Sequence, residues 1–208
     1  MSEPREVADA VELVAAGLYH WRIHNSSIGG HTSSSHALCA GEECVLIDPV
    51  RLADEALAGL LRPTAVALTA RCHQRAAWRY RRQFDIPVWL PEDATPGDEE
   101  PDQRYNEGDI LPGGLWAIRT PGPEWAHYSF LLDAVGDRPA VLFCSDLVGV
   151  MDGELGFIPP DYHEDPGATR ASVERLLELR FEILCLDHGA PLTHDPKAAL
   201  RRLLETPA

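Results

Sequence analysis

Residues 66–75, VALTARCHQR, are the stretch of the chain that decides the fold prediction. The stretch begins inside an apolar run that follows Pro63, and such a run predicts a buried strand over residues 64–68. A helix is predicted over residues 74–84, where Ala77, Tyr80 and Phe84 share one face. Between strand and helix lies a short turn with Cys72 and His73, which makes the turn a candidate functional site.

Further apolar runs also end in polar residues. Residues 44–49 (CVLIDP) contain Asp48, residues 141–147 (VLFCSDL) contain Asp146, and residues 183–191 (ILCLDHGAP) contain His188. We expect the strands at 45–48, 66–69, 141–146 and 183–188 to be neighbours whose carboxyl ends meet at one pocket. Asp146 and His188 should then lie within about 10 Å of each other, the limit for a shared site.

These segments, together with residues 120–130 (TPGPEWAHYSF), resemble the motifs of the metallo-β-lactamase superfamily, and they occur in that family's order. In the family the first segment carries His-x-His-x-Asp-His and the later one Thr-Pro-Gly-His-Thr-x-Gly-His-Thr-Ser-Phe. The resemblance implies an α/β fold, the four-layer αββα sandwich. We expect one such domain over residues 1–208.

The resemblance also implies that most metal ligands have been replaced. The positions of the first metal's ligands hold Ala70, Cys72 and Pro123, of which only the cysteine has a donor atom. The second metal's positions are Gln74, Arg75, Asp146 and His188, of which only the last two keep the family's residue type. We therefore expect no dinuclear zinc site.

Arg75 offers a substitute for the missing cation, because a guanidinium binds a carboxylate through two parallel hydrogen bonds. We expect it to pair with Asp146 and the protein to carry no cofactor. The alternative is one divalent metal ion, such as zinc, held by Asp146, His188 and Cys72.

Two histidines near these positions are also pocket candidates. His73 lies one residue beyond a ligand position, so a hydrogen-bonding or helix-capping role is expected. His127 matches a family position that supports the ligands rather than binding metal. Cys72 is either a core residue or a reactive thiol, since the neighbouring Arg71 and Arg75 favour the thiolate.

Two other polar segments of the chain are candidate sources of metal ligands. Residues 20–36 are rich in His, Ser and Gly, and in the family this segment overhangs the mouth of the site, so His31 or His36 is a possible donor. An ordinary hairpin loop is the favoured interpretation. Asp161, His163 and Asp165 lie in a predicted loop over residues 152–166, and their spacing alone does not assign them to a site.

Composition narrows the class of partner. Eighteen basic and 33 acidic residues give a net charge of −15, which disfavours nucleic acid and anionic membrane surfaces. The amino-terminal segment has no signal-peptide pattern and no apolar run approaches 18 residues, so a cytoplasmic protein is expected. Of five cysteines, Cys44, Cys144 and Cys185 lie in apolar runs and are expected to be free buried thiols.

Other catalytic classes lack their motifs: Gly-x-Ser-x-Gly, the P-loop and Gly-x-Gly-x-x-Gly do not occur. The leading prediction is a hydrolase-like protein of the metallo-β-lactamase fold that has lost the ordinary two-zinc chemistry. The first alternative is a mononuclear-metal hydrolase of esters, thioesters or lactones, in which the metal activates water. The second is a non-catalytic module that binds a small molecule or forms a homodimer.

Overall fold

The computed structural model describes residues 3–151 and 153–206. Its larger sheet has seven strands, which follow one another in chain order from β1 to β7. These strands are β1 Glu12–Ala15, β2 Leu18–Asn25, β3 His31–Ala40, β4 Glu43–Ile47, β5 Ala65–Ala67, β6 Val88–Pro91 and β7 Gln103–Tyr105. Strands β1 to β4 pair antiparallel, whereas β4 to β7 pair parallel.

The second half of the chain forms a five-stranded sheet and a separate hairpin. The strands are β8 Ile110–Leu111, β9 Leu115–Arg119, β10 Tyr128–Leu132, β11 Val141–Phe143, β12 Val148–Met151, β13 Glu154–Phe157 and β14 Ile183–Cys185. The sheet has the order β14-β11-β10-β9-β8, with β14 and β11 parallel, and β12 pairs with β13 alone.

Four α-helices cover the outer faces of the sheets. They are α1 Asp54–Leu57, α2 Ala77–Phe84, α3 Pro166–Leu176 and α4 Pro196–Glu205. Helix α3 begins where the Asp165 side chain accepts a hydrogen bond from the backbone N–H of Ala168, followed by a proline in the first turn. Within the described residues no helix has the length and apolar character needed to cross a membrane.

Three apolar cores separate the four layers. One lies between α2 and the larger sheet and includes Trp21, Leu46 and Trp78. The second lies between the two sheets and includes Leu38, Val45 and Phe130. The third lies between the smaller sheet and helices α3 and α4 and includes Leu142, Val173 and Leu200. Because successive residues of a strand face opposite sides, Val45 and Leu46 belong to different cores. The predicted αββα sandwich is confirmed.

The strand ends that matter for a site meet where the two sheets adjoin. Strands β4 and β5 are parallel neighbours in one sheet, and β11 and β14 are parallel neighbours in the other. The backbone N–H of Ser34 in β3 donates to the carbonyl of Asp187, 2.7 Å away, and so joins the two sheets. The four predicted strands are therefore two pairs, and their carboxyl ends meet at one pocket.

Two predicted elements differ from the structure. Residues 51–61 have Leu52, Ala56 and Leu60 at helical spacing, which predicts a helix, but only the four-residue α1 forms, because the chain turns at Ala58 and Gly59 and glycine is unfavourable inside a helix. Residues expected to form a loop at 152–166 include β13, whose hairpin with β12 turns at Gly153 with a φ of 87°. Asp152, in the predicted loop, lies outside the described residues.

Cys44 is not the free thiol that the sequence predicted, because it forms a disulfide with Cys39. The two cysteines lie directly opposite each other in the antiparallel pair of β3 and β4, which brings their side chains together. Cys72, Cys144 and Cys185 are free.

Candidate metal centre

A cluster of polar side chains lies where the ends of β4, β5, β11 and β14 meet. Each strand contributes residues immediately after its last apolar position. The members of the cluster are Asp48, Thr69, Cys72, His73, Arg75, Ser145, Asp146, Asp187 and His188. Most of these side chains are buried, and a cavity opens above Cys72, Asp146 and His188.

His73 lies at the centre of this cluster. Its Nε2 atom is 2.9 Å from a carboxylate oxygen of Asp146 and 3.1 Å from one of Asp187. Its other ring nitrogen, Nδ1, is 2.9 Å from the hydroxyl of Thr69. His73 lies inside the cluster, with partners on both ring nitrogens, because residues 71–73 form a 3-10 turn that directs its side chain inward.

The hydrogen bonds of Thr69 assign the tautomer of His73. Its hydroxyl is 2.6 Å from a carboxylate oxygen of Asp48, so the hydroxyl proton points to that oxygen. The same hydroxyl then accepts from Nδ1 of His73, which must carry a proton. Nε2 of His73 consequently faces two carboxylates, and that arrangement is favourable only if a cation, either a second proton or a metal ion, lies between them.

His188 repeats this arrangement on the other side of Asp146. Its Nδ1 is 2.6 Å from the backbone carbonyl of Thr32, which can only accept, so this nitrogen carries the proton. Its Nε2 is 3.1 Å from Asp146 Oδ1. The two carboxylate oxygens of Asp146 thus face one imidazole each, and both imidazoles are oriented through Nδ1, as metal-binding histidines commonly are.

The pKa shifts of His73, His188 and Asp187 reflect the excess of negative charge in the cluster. Burial alone lowers the pKa of His73, but the carboxylates of Asp146 and Asp187 outweigh it and hold the pKa well above its usual value. His188 shows the same balance, with Asp146 raising its pKa above the ordinary value against burial. Burial raises the pKa of Asp187 to about 6, although His73 and Arg75 oppose that change.

Arg75 supplies one permanent positive charge to the cluster. Its Nη2 donates to Asp187 at 2.9 Å, and its Nη1 donates to the backbone carbonyls of Ser34 and Asp48. The predicted pairing of Arg75 with Asp146 is therefore wrong. Asp187, one residue before the position expected for a ligand, receives the guanidinium because the last turn after β14 directs its side chain inward.

Backbone strain is concentrated in the cluster. Asp48, Arg75 and Ser145 have φ values of 46°, 33° and 55°, which are unusual for residues other than glycine. Such conformations cost of order 1–3 kcal/mol each and persist only where surrounding contacts enforce them, commonly at functional sites. The strain therefore favours a functional role for this cluster.

His127 supports Asp146 from behind. Its Nδ1 donates to the backbone carbonyl of Thr120 at 2.8 Å, and its Nε2 faces the backbone N–H of Asp146 at 3.3 Å. Burial lowers the pKa of His127 to about 4, so the ring is neutral. This geometry fits a supporting position and leaves no ring nitrogen for a metal.

Cys72 lies at the edge of the cluster, with its sulfur 3.8 Å from Asp146. Burial raises the pKa of this thiol to about 11, so the expectation that neighbouring arginines favour a thiolate is wrong. The sulfur of Cys72 becomes an effective ligand only in the presence of a metal ion, because a thiol that coordinates a metal loses its proton.

Three expected ligand positions contribute no donor to the cluster. Ala70 and Pro123 have no donor atom, and Gln74 is turned away to bind Trp78 and the backbone N–H of Asp98. The residue that faces the carboxylates is His73, one position earlier in the chain. The structure therefore places the inward-facing residue at position 73, one residue earlier than the position 74 expected from the family pattern.

The remaining candidate ligands lie at different places in the fold. His31 and His163 line the cavity, whereas Asp165 caps α3. His36, expected near the mouth, is fully buried between the sheets, 5.3 Å from the ring of His20 and 5.4 Å from that of Phe143. It belongs to β3, which is a ten-residue strand rather than a loop.

Sequence reasoning missed Asp48, Thr69 and Asp187 as members of the cluster. Each ends or follows a predicted strand, so its position at a strand end was a usable signal. The family pattern assigns ligands to other positions, such as Ala70 and His188, which are next to Thr69 and Asp187 in the chain.

The donor atoms present fit one metal ion. The ligand atoms of Cys72, His73 and Asp146 lie within 4.8 Å of one another, and so do those of Asp48, His73 and Asp187. The two groups share His73. Nitrogen, carboxylate oxygen and sulfur are the donors that zinc and related divalent ions take in proteins.

Solved structures with the same architecture support the fold. A di-iron-bound form of TTHA1623 is 26% identical over 82% of this chain and 93% of its own, with a TM-score of 0.61. The metallo-β-lactamase TMB-1 is 12% identical over 96% of this chain and 98% of its own, with a TM-score of 0.74. No protein-family model matches the sequence, and no curated protein matches it.

A third similar structure is a metallo-β-lactamase from Cronobacter sakazakii described by a HARLDQ motif. It is 15% identical over 86% of this chain and 80% of its own, with a TM-score of 0.61. Residues 69–74 of this chain, TARCHQ, share the alanine, arginine and glutamine of that motif.

The fold and its structural neighbours define the class: this chain has the metallo-β-lactamase fold. Its similarity to metal-binding members, together with its own donor groups, gives no support to the expectation that it has no cofactor.

Proposed function

We propose that this chain is a hydrolase-like protein of the metallo-β-lactamase fold that has lost the ordinary dinuclear zinc site and uses one divalent metal ion. The observation that carries the proposal is the arrangement of His73 and His188. Both rings hold a proton on Nδ1 and direct Nε2 at the carboxylate of Asp146, at 2.9 and 3.1 Å. Asp146, His73 and His188, with Cys72, are the proposed ligands.

Charge balance supports one ion rather than two. Asp48, Asp146 and Asp187 bring three negative charges into the cluster, and Arg75 brings one positive charge. One divalent ion offsets the remaining two carboxylate charges without protonating either imidazole, and a Cys72 thiolate formed on metal binding would leave one negative charge. A second ion would place further positive charge beside a guanidinium that cannot lose its proton.

The missing donors support the same conclusion. Ala70 and Pro123 have no donor atom, and the side-chain oxygen of Gln74 accepts from Trp78 and from the backbone N–H of Asp98. Arg75, held by Asp187 and two backbone carbonyls, takes the role of the second cation.

The chemistry proposed is hydrolysis of a carboxylic ester, thioester or lactone. A bound divalent ion supplies Lewis acidity, which activates water and polarises a carbonyl. The chain positions Asp146 through His127 and orients both imidazoles through Thr69 and Thr32. Arg75 keeps Asp187 from competing for a proton at the centre.

Metal content tests the proposal directly. Protein purified without chelator and equilibrated with zinc should contain about one ion per chain by elemental analysis. The His188→Leu variant should lose the ion, whereas His24→Leu, a change of an exposed histidine outside the cavity, should retain it. Hydrolysis of p-nitrophenyl esters should follow the metal content.

Each other result has a defined meaning. Two zinc ions per chain would contradict the loss of the dinuclear site. No ion at millimolar zinc, with no hydrolysis, would overturn the proposal in favour of a non-catalytic module that binds a small molecule or forms a homodimer.

A further inference from the structure

The cavity above the cluster has a volume of about 540 Å³ and reaches Asp146 and His188 at its floor. Its walls come from two segments on opposite sides, the 3-10 turn at Ser26–Ile28 and the chain from β12 to the turn at Pro160–Tyr162. The apolar residues that line it are Ile28, Pro123, Met151, Ile158, Pro159 and Tyr162.

The apolar wall is fixed relative to the cluster. The backbone N–H of Val150 donates to the carbonyl of His188 at 2.6 Å, so β12 is attached to the segment that carries His188. Gly149 permits this approach, because a Cβ there would lie 2.8 Å from the Cβ of His188 and 3.0 Å from Ile158. Ile158 packs over Gly149 and is only 7% exposed.

Positive charge is scarce around the cavity. Among the arginine and lysine residues in the described part of the chain, only Arg75 lines it, and its two terminal nitrogens already donate to Asp187 and backbone carbonyls. Glu124 also lines the cavity, and the whole chain carries a net charge of −15. Apart from the proposed metal ion at the floor, the cavity would therefore present a phosphate-bearing substrate with negative charge and no free arginine or lysine in the described part of the chain.

We propose that the cavity takes an uncharged ester or lactone whose acyl part is apolar and lies against Ile28, Met151 and Ile158. This inference rests on the proposed hydrolytic function, and it selects among the ester, thioester and lactone classes by charge and polarity. Hydrolysis breaks the acyl C–O bond, places the hydroxyl of water on the acyl carbon and its proton on the leaving oxygen. Thioesters that carry phosphate groups, such as those of coenzyme A, are disfavoured.

Acyl-chain length is the first measurement. For p-nitrophenyl acetate, butyrate and octanoate, kcat/KM should rise with length by up to about fourfold per methylene, which corresponds to about 0.8 kcal/mol for each buried group. The Ile28→Ser/Met151→Ser double variant should lose most of this rise. Ile110→Ser, at an exposed position on β8 away from the cavity, is the matched control and should keep it. An unchanged dependence in the double variant would overturn the apolar assignment.

Charge is the second measurement. Octanoyl-N-acetylcysteamine and octanoyl-coenzyme A present the same acyl thioester with a neutral and an anionic leaving group. The neutral thioester should have a kcat/KM at least about tenfold higher at low ionic strength, and the difference should shrink with added salt. Equal or reversed rates would contradict the inference about charge.

A binding measurement separates this inference from the proposed hydrolysis. 2-Decanone has a carbonyl and an alkyl chain but no leaving group, and its binding can be followed by NMR titration of the native protein. Binding that the double variant weakens and Ile110→Ser does not, without any hydrolysis, would keep the apolar cavity and refute the hydrolase. Hydrolysis without 2-decanone binding or chain-length dependence would keep the hydrolase and refute the cavity assignment.

Discussion

Two pairs of histidines in this protein have opposite electrostatic surroundings. His20 and His36 face each other across β2 and β3 between the sheets, whereas His73 and His188 flank Asp146. In the first pair burial lowers both pKa values, that of His36 well below the usual value. In the second pair the carboxylates raise both pKa values against burial. Burial alone therefore does not identify a histidine as a metal ligand. In a ligand histidine, one ring nitrogen is held by a hydrogen bond and the other faces an anion.

The difference can be seen in the hydrogen bonds as well. None of the four ring nitrogens of His20 and His36 hydrogen-bonds to a protein atom of the described residues. His73 and His188 are each oriented by a partner on Nδ1. In the first pair His20 lies 3.7 Å from the exposed carboxylate of Glu12, whereas both histidines of the second pair face the carboxylate of Asp146 at 2.9 and 3.1 Å.

The largest expected effect comes from removing the permanent cation beside the second pair. Arg75→Ala should lower the free energy of unfolding by roughly 3–5 kcal/mol, because it removes the permanent cation from buried Asp187 and leaves only His73 facing that carboxylate. Adding Asp187→Asn should recover part of the loss, since both charges are then gone. Urea unfolding of both variants measures this.

Arg79→Ala is the control for that experiment. Arg79 pairs with Glu3 at the surface, where such pairs contribute at most about 1 kcal/mol. Equal losses for Arg75→Ala and Arg79→Ala, or strictly additive losses in the double variant, would show that the Arg75–Asp187 pair is not a coupled buried pair.

A metal-binding comparison of matched substitutions has the next largest effect. His188→Leu should weaken zinc binding by about 100-fold or more, since it removes a proposed ligand, and loss even of a supporting residue costs 10–100-fold. His36→Leu should leave the affinity unchanged within about threefold. Isothermal titration calorimetry with zinc measures the affinity of both variants. Similar losses of zinc affinity in the two would contradict the assignment of His188, and not His36, as a ligand.

The smallest effect is the pH dependence of stability that His36 contributes. Its folded pKa lies below the usual value, so the unfolded chain takes up a proton below about pH 6.5 that the folded protein does not. Stability is therefore lost as the pH falls, by about 1.4 kcal/mol between pH 7.5 and 5.5 for this residue. Besides the two histidines themselves, Glu12, Arg22 and Arg75 are the charged groups that act on this pair.

Unfolding of the native protein and His36→Leu at both pH values measures this contribution as a difference. The native protein should lose more stability on acidification than the variant does. His73 and His188 oppose the trend, because groups with raised pKa values stabilise the fold at low pH and lose that contribution as the pH rises. Their contribution is the same in both proteins, so the difference isolates His36. An identical pH dependence would contradict the assignment of His36 as a neutral core residue.

Much of the fold was predictable because its strands are apolar runs with clear ends. Strands β4, β5, β11 and β14 follow directly from the apolar residues at 44–47, 65–68, 141–144 and 183–186. The hairpin β12–β13 was not predictable, because Gly149 and Gly156 interrupt its two four-residue strands and the hairpin is ordered by packing against the segment at His188.

The candidate site was less predictable, because side-chain direction after a strand depends on one or two backbone angles. His73 and Gln74 exchange inward and outward directions through the 3-10 turn at 71–73, and Arg75 reaches Asp187 from a left-handed conformation. Neither feature has a local sequence signal, since the tertiary contacts of Asp48 and Asp187 enforce both. The donor types were visible in the sequence, but their partners were not.

Arg75 gives the centre an unusual relation to metal supply. A cation that is covalently part of the polypeptide cannot be removed by a chelator, exchanged for a competing ion or lost during scarcity. Under our proposal, withdrawal of the bound ion empties only one of two cationic positions, and Asp187 and the ends of β3 and β4 stay tied together. The protein thus keeps a permanently assembled half of its centre and depends on its surroundings for only one ion.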